Sequence, residues 1–355
     1  MPLTPDQEKI ARRFRAQADG CGALGSPLYA EVLGRAADDV LSGGPVWDLV
    51  APHASDPGGS MLALRVMGAT HRLALTGEAP ELAAHYPSAG GDGQLAPAWR
   101  AWSTLVSERP DAVAPLLTQG VQTNEVGRAA ALLGGFLLVA RETGLPLRLL
   151  EVGTSAGLNL RWDLFGYRCG DVRWGPEGGG VQLGDPFSGP KAPILEPAQV
   201  AIAERAGCDI NPLDPTTADG RLTLLSFVWA DQLPRFRNLA AACDLAAACP
   251  VDIERSSGDA WLSSQLAVAR PGVATVTFHS VMLQYLEAEV RDRLLATIAQ
   301  AGAAAGADAP LAWLRMEPES TLASDMEVRL VTWPGGRDRR LATTHPHGAW
   351  VRWDV

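Results

Sequence analysis

Over residues 1–118 apolar positions recur at three- and four-residue spacing between short polar, proline or glycine breaks, the pattern of amphipathic helices. At Thr4-Pro5-Asp6-Gln7, Thr4 can cap, Pro5 is preset for the first helical position and Gln7 can close a capping box, with Ile10 and Phe14 on one face beyond. Further helices are predicted over 28–41, 60–75, 95–108 and 111–117, punctuated by segments such as 87–93. Residues 1–118 therefore read as a helical domain or cap.

The rhythm changes at Q-T-N-E (122–125). This polar start leads into a helix carrying Val126, Ala129, Leu133, Phe136, Leu137 and Ala140 and ended by Gly144-Leu145-Pro146. Short apolar runs then alternate with helical ones. Strands are predicted at 147–152, 200–209, 222–229, 251–254, 272–279 and 310–316, and helices at 231–248 and 284–303. Two β-rich runs, 328–333 and 349–353, joined through Gly335-Gly336 and a polar loop, suggest an antiparallel pair at the sheet end. Alternating β and α elements imply an α/β fold over 119–355: a mostly parallel sheet with helices on both faces. No internal repeat interrupts it.

Composition narrows the function classes. A chain of 355 residues, 47% apolar and 20% charged, is an ordinary globular protein with room for about two domains. A net charge of -10 and a pI near 5.1 argue against a nucleic-acid partner, which needs clustered Lys and Arg. The one basic run, R-D-R-R (337–340), reads as a solvated hairpin loop. Five scattered cysteines with no C-x-x-C imply neither a disulfide framework nor zinc, and His345-Pro346-His347 lacks a third ligand, so no metal is expected. The N-terminus has no basic and apolar leader, and the longest apolar run, 129–140, is too short for a bilayer. The expectation is a cytoplasmic protein without a membrane partner.

The chemistry concentrates in E-V-G-T-S-A-G-L-N-L (151–160), where an apolar strand enters a small-residue turn and a predicted helix. Gly153 and Gly157 permit close backbone approach, and exposed N–H groups with a helix N-terminus would make an anion or ribose site. Glu151 can accept hydrogen bonds from the turn or from a ligand ammonium. The same residues satisfy G-x-S-x-G, so Ser155 could instead be the nucleophile of a hydrolase elbow, with His279, His345 and His347 downstream. An acid two positions before the first glycine is what a cofactor loop requires and an elbow does not. That places Ser155 where such loops carry their middle glycine.

This loop resembles motif I of Rossmann-like S-adenosylmethionine-dependent methyltransferases. The resemblance implies that Glu151, Gly153, Thr154, Ser155, Gly157 and Asn159 line the cofactor. It also implies that Asp209, in G-C-D-I-N-P (207–212), holds the ribose, and that Asp259 and Ala260, in S-G-D-A (257–260), sit at the adenine. Catalytic groups are then expected at F-H-S-V-M (278–282), and the C-terminal runs resemble the sixth and seventh strands. More closely, Q-T-N-E-V-G-R (122–128), the loop, F-V-W-A-D-Q (227–232) and F-H-S-V-M-L-Q-Y-L (278–286) resemble a bacterial domain-of-unknown-function family, number 2332, over nearly the whole chain.

Roughly fifty residues separate the loop from Asp209, an insertion at about 162–198 that could form a substrate lid or a homodimer contact. Asn124 and Arg128 start the helix before the first strand and would point polar groups at the cofactor loop. His279 is the candidate general base, with Asp231 and Gln232 at the end of an apolar run as further catalytic candidates. Trp162, Trp174 and Trp229 could stack a planar or sulfonium group. The leading expectation is a class I methyltransferase that aligns a small molecule or protein side chain with S-adenosylmethionine. The alternatives are a serine hydrolase using Ser155 and a non-catalytic ligand-binding module.

Overall fold

The computed structural model describes residues 3–178, 180–188, 195, 199–320 and 325–354, so residues 179, 189–194 and 196–198 of the expected insertion lie outside the described residues. The chain forms two compact units, one from Met1–Thr123 with Thr217–Arg237, the other from Asn124–Thr216 with Asn238–Val355.

The first unit is helical. Pro5–Ala23 starts with the capping box predicted for Thr4 and Gln7, each side chain accepting the other's backbone N–H. Pro27–Ser42, Leu62–Leu75 and Leu95–Glu108 follow the apolar spacing, and 111–117 divides into Pro110–Val113 and a 3-10 turn, Ala114–Thr118. Their inner faces meet in a core that contains Phe14, Tyr29, Trp102 and, from the later segment, Trp229 and Ala230.

One expectation fails here. The run 222–229 is not a strand: Ala218–Ser226 is a helix whose cap, Thr217, accepts from Gly220 N. A short apolar run carries no period that separates a buried strand from a buried helix, and the Thr217 cap decides for helix. The turn after it brings Asp231 to the start of Pro27–Ser42, where its carboxylate takes the Ser26 hydroxyl at 2.6 Å and Leu28 N at 3.0 Å.

The second unit is built on strands β1 (Leu147–Val152), β2 (Gly166–Cys169), β3 (Val172–Trp174), β4 (Gln182–Leu183), β5 (Phe187–Ser188), β6 (Ile202–Asp209), β7 (Asp252–Arg255), β8 (Ala274–Ser280), β9 (Leu311–Pro318), β10 (Met326–Trp333), β11 (Arg337–Thr344) and β12 (Val351–Trp353). Nine of them make one sheet in the order β5-β12-β11-β10-β9-β8-β1-β6-β7, and β3-β2-β4 make a small separate sheet inside the expected insertion. β7, β6, β1, β8 and β9 are parallel, and their sequence order across the sheet is third, second, first, fourth, fifth. The chain thus reverses its direction of travel between β1 and β8, and in open α/β sheets ligands bind outside the carboxyl ends of the strands at that point.

Helices cover both faces. Arg128–Thr143 lies on one, with Phe136 stacked on Trp162 at 4.4 Å and edge-on to Phe278. Its Gly134 and Gly135 permit that approach, because a Cβ on Gly134 would lie 2.1 Å from Trp353 and one on Gly135 2.4 Å from Leu314. On the other face Gly258–Leu266 and Ala288–Ala304 pack through Leu262, Leu294 and Ile298 against Leu150 and Val152.

The C-terminal edge departs from the predicted pair. The runs 328–333 and 349–353 do not pair directly; β11 lies between them, antiparallel to both, so R-D-R-R (337–340) is strand rather than solvated loop. Its charges are cross-linked: Arg329 reaches Asp338 at 3.0 Å, Arg339 the Glu142 carboxylate, and Arg340 both Glu327 and Asp354. Cross-strand ion pairs let a charged run form a ladder that apolar patterning does not signal. Among the described residues no helix is long and apolar enough to cross a membrane.

Candidate functional site

Residues at the carboxyl ends of β1, β6, β7 and β8 build the site. Glu151 closes β1 almost wholly buried, at 3% exposure, and accepts the Thr154 hydroxyl. Burial, with the nearby Asp209 carboxylate adding to it, pushes the Glu151 carboxyl up to about 8 against the opposing Thr154 hydrogen bond, so at neutral pH it is mostly the acid.

The turn after Glu151 is left-handed at three residues, Gly153 (φ 69), Ser155 (φ 55) and Gly157 (φ 66). Gly157 is confined by β7, since a Cβ there would meet Ile253 at 2.7 Å. Ser155 holds a conformation that costs a side-chain-bearing residue roughly 1 kcal/mol.

The amide groups of this turn do not form an open cradle. Gly153 N and Thr154 N donate to Cys208 O, Ser155 N to Asp209 Oδ2 at 2.8 Å, and Gly157 N to Thr154 O. Ala156 N and Leu158 N both donate to Asn124 Oδ1, at 3.2 and 2.9 Å. Every N–H from 153 to 158 is thus taken from inside the protein, and the next element is a kinked 3-10 segment, Leu158–Leu164, rather than an α-helix with a strong dipole. The predicted anion site is therefore corrected, because a phosphate would find no donor in the loop.

The other residues singled out by sequence fall as follows. Asn124 seals the loop, and Asn159 Nδ2 donates to Glu125 O. Arg128 donates to Ser280 O and Pro346 O, tying the helix start to the end of β8. Asp209 shares its oxygens between Ser155 N and Asn211 N. Asp259 follows β7 in the first turn of Gly258–Leu266, beside Ala260. Its Oδ2 takes Arg293 at 2.7 Å, and its buried Oδ1 has no partner in hydrogen-bond geometry. Trp162 and Trp174 stack on each other at 5.4 Å inside the fold.

His279 is wholly buried, with both ring nitrogens engaged. Trp313 Nε1 donates to Nε2 at 3.0 Å, which leaves Nδ1 to donate to Glu317 Oε1 at 2.7 Å. A ring held this way is oriented but not open to a substrate, which corrects its assignment as general base. Asp231 and Gln232 belong to the helical unit, where Asp231 caps Pro27–Ser42 and Gln232 Nε2 donates to Leu24 O. Both are occupied as structural ties there.

Sequence reasoning missed Glu317, whose Oε1 also accepts Met282 N at 3.0 Å. It closes β9 as Glu151 closes β1, so an acid ending an apolar strand was the available signal. Among the described residues no group of three or more His, Cys, Asp or Glu could hold a metal ion.

A family described as an uncharacterized protein conserved in bacteria, DUF2332, matches residues 11–353. The chain belongs to the DUF2332 family. The match spans both units, so the helical unit is part of what defines DUF2332 and not an appendage of this chain. No curated protein and no solved structure matches the chain.

Proposed function

We propose that the protein is an S-adenosylmethionine-dependent methyltransferase on a Rossmann-like sheet. One observation carries the reading: at the point where the strand order reverses, the carboxyl edge carries carboxyl groups, and its 153–158 turn leaves no amide free. Glu151 ends the first parallel strand, Asp209 the second, and Asp259 follows the third. A nucleotide bearing phosphates needs N–H donors there, and those of 153–158 are closed. A phosphate-free ligand with a cationic end, a diol and an exocyclic amine needs acceptors instead, as this edge provides.

On this reading Asp209, whose oxygens each keep a lone pair, would hold the ribose hydroxyls, and Asp259 Oδ1 the adenine amine. Glu151 would lie near the cationic end, whose field would drive its proton off. The bound cofactor supplies an electrophilic methyl group; the protein's part is to orient an acceptor against it and to exclude water. Calorimetric titration with S-adenosylmethionine and S-adenosylhomocysteine, with ATP and NAD as phosphate-bearing controls, tests this. Binding of both adenosyl ligands and neither control is expected; indifference to the adenosyl ligands would end the reading.

A second reading has one observation in its favour. Ser155 is left-handed in a sharp turn directly after a strand, as the nucleophile of a hydrolase elbow is strained. Against it, the Nε2 of His279 is filled by Trp313. Labelling of Ser155 by a fluorophosphonate would favour the hydrolase.

A further inference from the structure

Three polar atoms without partners lie on one face of β8 and β9. Thr277 pairs in register with Trp313 and His279 with Arg315, and Glu317 is two residues beyond Arg315, so these side chains share a face. Thr277 Oγ1, Arg315 Nη1 and Glu317 Oε2 are each buried and make no hydrogen bond. The Glu317 side chain is only 10% exposed. Leaving such a group unpaired costs about 1–3 kcal/mol, more for a charge, so three along one face call for a cause.

The cause is that donor and acceptor are pinned separately. Glu317 cannot swing, because its Oε1 holds both His279 Nδ1 and Met282 N. Arg315 has its guanidinium carbon over the Trp313 ring, 4.0 Å from the centroid, and that ring is anchored by its own bond to His279 Nε2. His279 thus sets both arms, which among the described residues form no ion pair with each other. The same bonds fix the end of β8: Val281 is left-handed (φ 54), its N–H donates to Met316 O at 2.8 Å, and Met282 packs on Gly153 of the cofactor loop.

We propose that Arg315 and Glu317 form a subsite for a hydroxyl group. Its oxygen accepts from Arg315 Nη1, its hydrogen is donated to Glu317 Oε2, and the face of Trp313 flanks the carbon that bears it. An amine fits less well, because once protonated it has no lone pair for Arg315, and a carboxylate has no hydrogen for Glu317. Resting on the methyltransferase reading, this makes the acceptor an alcohol or phenol, with Glu317 as the group that receives its hydrogen bond. Glu317 is then the catalytic residue at the acceptor, and His279 and Trp313 are positioning residues.

The test uses the full chain labelled with 15N at tryptophan, with the Trp313 indole signal assigned by Trp313→Phe. Phenol and benzylamine serve as probes, and S-adenosylhomocysteine binding is measured on the same sample. Phenol is expected to shift the Trp313 signal saturably, with at least tenfold weaker binding in Glu317→Gln and in Arg315→Gln, while benzylamine leaves the signal in place. Both variants should retain the wild-type pattern of the other indole signals, which reports an intact fold. If S-adenosylhomocysteine binds and phenol does not shift Trp313, or shifts it equally in the variants, the subsite is refuted and the methyltransferase reading stands. A phenol shift without adenosyl binding keeps the subsite and removes the methyltransferase; silence from both ligands overturns both.

Discussion

Asp209 and Ser155, 54 positions apart, are joined by a 2.8 Å hydrogen bond from the Ser155 amide to the Asp209 carboxylate. The acid that ends the second parallel strand therefore holds the turn that ends the first. Asp209→Ala should leave the nearly buried Ser155 N–H unpaired and cost about 1–3 kcal/mol, seen as a lower Tm. Asp209→Asn, which keeps an acceptor oxygen, should recover most of that. Equal Tm values for the two variants would show that this bond does not hold the loop.

Ser155→Gly removes the left-handed strain at φ 55 but adds freedom to the unfolded chain. The two nearly cancel, so denaturant titration should find stability within about 1 kcal/mol of the parent. Adenosyl-ligand binding should persist, because glycine retains the backbone amide that Asp209 holds. A hydrolase would lose all activity through the same change, so this variant separates the two readings.

Glu151 gives the protein an alkaline limb. Its folded value, about 8, lies above the ordinary 4.5, so the fold binds a proton that the unfolded chain releases. Stability is fully present below about 4.5 and declines as pH rises towards 8, by an amount on the order of a few kcal/mol. Glu151→Gln should flatten the decline in Tm between pH 6 and 9. A parallel decline in parent and variant would mean that another group causes it.

His71 gives an acid limb in the helical unit. Wholly buried, its Nδ1 lies 3.0 Å from Ser226 O and its Nε2 2.6 Å from Ser88 Oγ, and burial lowers its value from 6.5 to about 4. The unfolded chain takes up a proton that the fold resists, so stability is present above 6.5 and falls as pH drops towards 4, by about 3 kcal/mol. His71→Gln should lose this acid limb, so that between pH 6.5 and 4.5 its Tm, relative to the parent's, rises as pH falls; an unchanged difference between the two would mean that another group causes the limb.

The sequence disclosed the elements whose local signals agree with their burial. Thr4 and Gln7 cap a helix because both partners lie within one turn, and β1 is a six-residue strand, four of its residues apolar, buried throughout. It was silent where distant partners decide. Nothing near Asp231 announces that its carboxylate caps a helix 203 positions away, and the charges of R-D-R-R are accommodated in a strand by Glu142, Glu327, Arg329 and Asp354, all outside the run. The 153–157 turn was legible as a turn, yet its closure by Asn124 and Asp209 was not, because spacing cannot reveal where an amide's partner comes from.

The helical unit takes residues 217–237 from beyond the first strands of the sheet, and Trp229 and Ala230 belong to its core. During synthesis that core must wait: when residue 123 leaves the ribosome, the start of Pro27–Ser42 still lacks Asp231, and the place of Trp229 is empty for more than a hundred further residues. The nascent helices spend that interval as a partly exposed apolar surface, of the kind that recruits chaperones. The unit is encoded first and completed late, so a fragment ending at 123 is no shortcut to studying it.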